Sequence, residues 1–166
     1  MPRHAESRLP GPHRRFAAAI AFLAAMALTA CVPTIAGYDV EAYKNATSLK
    51  AETDAVLSHG TEPYAANAAR VEALSIKLNA AREYAAGIPR NENSARQWEL
   101  MVDPNQGLAG GTLRQWRERG QFHQEFINEQ RKQIAEGFDY IICLEANKQK
   151  ATKCGPQAAA ASTKEE

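Results

Sequence analysis

Between Thr61 and Ala86, apolar side chains recur at steps of three and four: Tyr64, Ala68, Val71, Leu74 or Ser75, Leu78, Ala81 and Ala85. Such steps return to one side of an α-helix, whose turn holds about 3.6 residues, whereas a strand would alternate by two. The stretch is therefore predicted to be one long amphipathic helix, with Pro63 in its first turn and Gly87 and Pro89 at its end. Its stripe must be buried against other elements. No other segment shows strand alternation of any length, so those elements are helices too.

A preceding helix, Asp39 to His59, carries a weaker and more polar stripe, Val40, Tyr43, Ala46 or Thr47, Thr53 and Val56, and Gly60 closes it. Ser94 with Gln97 forms a capping-box pattern that opens a short helix bearing Trp98, Met101 and Val102, stopped by Asp103-Pro104. Thr112 with Gln115 repeats that pattern at the head of a region carrying Leu113, Trp116, Phe122, Phe126, Ile127, Ile134, Phe138, Ile141, Ile142 and Leu144. Unbroken to Ala151 it would measure about 60 Å, against about 30 and 38 Å for the two earlier long helices. Gly120 is the natural break, since glycine costs about 1 kcal/mol in a helix interior. The expectation is a short piece, Thr112 to Arg119, and a long one, Gln121 to about Ala151. The fold class is all-α: an antiparallel bundle of three long and one or two short helices over residues 39–152. Residues 153–166, alanine-rich and polar, read as a disordered tail.

The amino-terminal region is of a different kind. Arg3, Arg8, Arg14 and Arg15, with Glu6 the one acid among them, precede an uncharged run, FAAAIAFLAAMALTACVP, at residues 16–33. A basic region followed by about fifteen apolar residues is the layout of a secretory signal, and the run is short for about 30 Å of hydrocarbon. It ends in Leu28-Thr29-Ala30-Cys31, which resembles the lipobox of bacterial lipoproteins. The resemblance implies removal of residues 1–30, a diacylglycerol on the Cys31 thiol and an acylated new amino terminus. Val32 is not the aspartate that retains such proteins at the inner membrane, which by analogy implies the periplasmic leaflet of the outer membrane. Residues 31–38 would then be a tether of at most about 28 Å. In size and helicity the rest is similar to small helical lipoproteins of proteobacteria whose activity is unassigned.

From Cys31 onward the chain has 16 basic and 18 acidic residues, which disfavours a nucleic-acid-binding face. Besides Cys31 it has Cys143 and Cys154. Within Ile141-Ile142-Cys143-Leu144 the first reads as a packed free thiol, a bond to Cys154 being the alternative in an oxidising compartment. Gly107-Leu108-Ala109-Gly110-Gly111-Thr112 reads as a flexible linker that caps a helix, because no strand precedes it and no Lys-Ser/Thr pair follows. His123-Gln124-Glu125 lacks the cysteine pair of a deaminase zinc site. Glu118, Glu125, Glu129 and Glu136 alternate with arginine and lysine, so Glu125 or Glu129 is expected beside Arg131 or Lys132 on a solvated face. No Gly-x-Ser-x-Gly elbow occurs.

Trp98 and Trp116 flank the glycine segment and are read either as caps on the core or as an exposed aromatic site, with Arg96, Arg114 and Arg117 close by in sequence. The candidate residues are thus Cys31 for lipidation and Trp98, Trp116, Arg114 and Arg117 for binding a partner. The expected function is that of a lipid-anchored, non-enzymatic structural or interaction component of the cell envelope, with an envelope protein as partner. It would need no cofactor, metal or nucleic acid. The alternative is a small-molecule or lipid-binding bundle with an apolar pocket lined by Phe122, Phe126 and Leu78.

Overall fold

In a computed structural model, which describes residues 35–148 and Cys154, the chain enters its first helix at Asp39. The Asp39 carboxylate accepts the Ala42 N–H at 2.8 Å and so satisfies one of the free amides of the first turn. Helix α1 (Val40–Leu57) leads to α2 (Tyr64–Gly87), α3 (Glu92–Val102), α4 (Leu108–Arg119) and α5 (Gln124–Ala146). All regular structure among the described residues is helical. Residues 1–34, which include the run read as a signal and Cys31, lie outside them, as do residues 149–153 and the stretch read as a tail other than Cys154.

Helix α1 packs on α2 and α5, and α3 packs on both α2 and α5, so four helices enclose the core. The wall opposite α1 is made in two pieces. Helix α3 runs back along α2 from its carboxyl end, and α4 continues to its amino end, where the Tyr64 N–H donates to Gly120 O at 2.6 Å. Together α3 and α4 are about as long as α2, roughly 36 Å. The core they close includes Leu57, Leu74, Leu78, Trp98, Met101, Trp116, Ile127 and Phe138, each no more than 2 % exposed.

Several boundaries differ from the sequence expectation. The buried face of α1 is Ala42, Ala46, Leu49, Thr53 and Val56, and Val40 points outward. Small alanines set that face because they let α2 and α5 approach, and hydropathy alone did not mark them. Ser94 does not cap a helix, because α3 begins at Glu92 and Ser94 is buried in its first turn. Thr112 is likewise interior to α4, its Oγ1 lying 2.7 Å from Leu108 O and 3.0 Å from the Gln130 amide oxygen of α5. The stretch read as a flexible linker is the first turn of α4. A Cβ on Gly110 would stand 2.1 Å from Val102 O, so this glycine lets two helices touch where any side chain would collide. Gly120 does end α4, with φ at 84°. The last helix starts at Gln124 and ends at Ala146, shorter than expected.

Cys143 is not a free thiol: it is bonded to Cys154 across a Cα–Cα distance of 5.7 Å. At the same end of the molecule, the Ala36 N–H donates to Arg90 O at 2.9 Å, and Ala36 is buried. The folded body therefore begins before Tyr38.

Candidate functional site

The corner between α3 and α4 leaves the two-piece wall open against α2. The gap is a groove of about 290 Å³, near the lower end of the range for small-molecule sites. Its buried lining is Val71 and Leu78 of α2, Val102 of α3 and Leu113 of α4; its rim includes Ser75, Asn79, Arg114 and Arg117.

The register of α4 places the two arginines there. Ala109, Thr112, Leu113 and Trp116 recur at three and four residues and face the core, which leaves the next positions, Arg114 and Arg117, beside the buried stripe. Arg114 is fixed by Nε donating to Pro104 O at 2.6 Å and Nη1 donating to Glu118 at 2.7 Å. Arg117 Nε donates to the Tyr64 hydroxyl at 3.0 Å, with the guanidinium 5.7 Å from the ring centre. That hydroxyl first, and Glu72 after it, hold Arg117 further into its charged form. Each guanidinium has more N–H groups than these bonds use. The lining contains no carboxylate, histidine or cysteine, and Ser75 Oγ is turned to Val71 O at 2.8 Å. This arrangement suits holding an anion that carries an apolar portion.

The tryptophans are not part of this surface. Trp98 is 1 % exposed and packs edge-on to Phe138 at 5.9 Å. Trp116 is fully buried, set between Tyr64 and Phe122, and its Nε1–H donates to Glu62 O at 3.1 Å. The reading of an exposed aromatic site is corrected, since each ring fills space behind its short helix. Arg114 and Arg117 do come together on one rim. Of the residues named for an apolar pocket, Leu78 lines the groove. Phe122 and Phe126 instead pack on each other at 4.9 Å beyond Trp116, with Arg119 over the Phe126 ring. Arg131 is paired with Asp54 of α1 rather than with Glu125 or Glu129, and Glu129 accepts from Gln133. His123 is the residue before α5, and among the described residues no three His, Cys, Asp or Glu side chains are grouped to hold a metal.

One polar cluster had no sequence signal. Lys148 is 5 % exposed; its Nζ donates to Asn91 and, at 2.9 Å, to Ser94 Oγ, and lies 2.7 Å from Glu145 Oε2. The ion pair lacks the alignment of a hydrogen bond, and neither buried Glu145 oxygen has a hydrogen-bond donor among the described residues. Beside the cluster lies a hollow of about 10 Å³, lined in part by Ile35, Arg90 and Leu144, about the size of one water.

No protein-family model, curated protein or solved structure matches the chain.

Proposed function

We propose that the protein is a lipoprotein of the bacterial cell envelope, held to a membrane through Cys31, whose helical bundle acts as a non-enzymatic interaction or structural component. The carrying observation is the basic region and apolar run ending in Leu28-Thr29-Ala30-Cys31. One structural fact supports it: the Cys143–Cys154 bond fits an oxidising compartment. Val32 favours the outer membrane's periplasmic leaflet. Cys31→Ser tests the reading: the variant is expected to carry no lipid and to keep residues 1–30, both read from its intact mass. An intact mass showing an unmodified Cys31 in the native protein would refute it.

The groove favours a second reading, in which the bundle carries a small amphipathic anion, gripped by Arg114 and Arg117 over the Val71, Leu78 and Leu113 floor. A fluorescent fatty acid should bind the native protein, and Arg114→Ala with Arg117→Ala should weaken it by about tenfold or more, the worth of one or two charge-assisted hydrogen bonds. Equal affinity in both proteins would leave the groove without this role.

A further inference from the structure

Five large hydrophobic side chains are at least 40 % exposed among the described residues, and three of them, Tyr38 (59 %), Val40 (54 %) and Tyr84 (40 %), lie at the end where the chain leads back towards Cys31. Ile76 lies two turns back along α2, and Leu100 is on α3. The three form one patch. Tyr84 Oη lies 3.2 Å from both Asp39 oxygens, and Asp39 stands between Tyr38 and Val40 in the chain. The Tyr38 ring leans on Tyr43 with centres 6.2 Å apart. Because Asp39 also caps α1, the residues around it are held before any surface meets them, and little side-chain freedom remains to be lost on contact. Tyrosine, with an apolar ring and a polar tip, is the side chain that collects at the boundary between lipid and water.

We infer that this patch is the face the bundle lays on the bilayer that anchors it. The inference rests on the proposed lipidation of Cys31 and deepens it. Ala36 is fastened to Arg90, so only five residue steps separate the body from Cys31, at most about 18 Å of extended chain. A body on so short a leash meets the headgroup layer continually, and Tyr38, Val40 and Tyr84 are the exposed apolar groups nearest the leash. The charges beside them carry no positive excess: Asp39 in the patch and Glu41 next to Val40 stand with exposed Lys44 one turn on from Val40, and Glu83 beside Tyr84 is already paired to Arg82. The partner is therefore a neutral, zwitterionic lipid surface rather than an anionic one.

The test uses the full lipidated protein carrying fluorotyrosine, in vesicles of phosphatidylcholine and phosphatidylethanolamine doped with a gadolinium-chelating lipid. The fluorine signals of Tyr38 and Tyr84 should be broadened strongly, while that of Tyr64, about 30 Å away along α2, stays sharp. Replacing both Tyr38 and Val40 with serine, at exposed positions outside the core, should weaken the contrast between Tyr84 and Tyr64. If the protein floats with the vesicles but Tyr64 broadens as much as Tyr84, the bundle has no preferred face and the inference fails while the anchor stands. If the protein does not float with the vesicles at all, lipid anchoring itself is wrong and the inference falls with it.

Discussion

At Trp116 the indole meets Tyr64 and Phe122 and closes the end of the core, with its N–H spent on Glu62 O. Truncating it leaves a cavity between Tyr64 and Phe122 and a backbone carbonyl without its donor. Trp116→Ala is therefore expected to lose about 3 to 5 kcal/mol in urea unfolding, whereas Arg117→Ala, one residue on and exposed, should lose less than about 1 kcal/mol. A Trp116→Ala protein as stable as the parent would show that the ring is not core. The sequence left both readings of Trp116 open for a definite reason. With α4 started at Thr112, the ring sits on a helix of two turns with little to pack on. Started at Leu108, it joins Ala109, Thr112 and Leu113 on a buried stripe. The glycines at 110 and 111 hid that start, because helix propensity counts against them while the close approach to Val102, which requires Gly110, is a tertiary fact.

Among the elements, α1 and α5 are joined outside the core by a two-pronged ion pair, Arg131 Nε and Nη2 donating to the two Asp54 oxygens at 2.8 and 2.9 Å, one turn and more from the Lys50–Asp139 pair. Opposite charges across two long helices are not legible from spacing within one helix, and that spacing alone points Arg131 to a neighbour in α5. The long helices themselves were legible, since the stripes of α2 and α5 obey one period throughout. The hydrogen bonds from Arg131 lower the Asp54 carboxyl below its ordinary range. The folded state then binds this proton less readily than the unfolded chain. The contribution is complete above the unfolded value of about 4 and is lost as pH falls through the lower folded value. Half of the Asp54 side chain is exposed, so its worth is that of a surface pair, about 0.5 to 1 kcal/mol. Asp54→Asn should cost that much near neutral pH, and the gap to the parent should close below about pH 4 and shrink with added salt. Urea midpoints across that range decide it, and a gap that persists unchanged in strong acid would assign the effect to packing instead.

At the scale of the molecule, the end of the bundle where Ala36 is fastened to Arg90 is where the structure concentrates its unusual chemistry. The disulfide bridges an eleven-residue separation that contains Lys148, and Asn147 Nδ2 is bonded to Cys143 O at 3.0 Å, so the turn presenting Lys148 is held at both sides. Lys148 in turn reaches Asn91 and Ser94, which start α3, and balances the buried Glu145 charge. Desolvating that pair is expensive, but removing one partner is worse, because the other stays buried and uncompensated. Lys148→Met is accordingly expected to cost about 3 kcal/mol or more, and Cys143→Ser with Cys154→Ser about 3 kcal/mol from the freed loop. The bond and the lysine share one turn, so the costs should not add. Without the disulfide the turn is free to move and Lys148 is held less firmly, which leaves less for its removal to undo. In a double-mutant cycle by chemical denaturation the combined variant should lose about 1 kcal/mol or more less than the separate losses together. The same cycle between the disulfide and Asp54→Asn, on a part of α1 with no shared partner, should be additive within about 0.5 kcal/mol. Additivity in both cycles would mean that the bond acts only by constraining the unfolded chain and has no part in holding Lys148 in place.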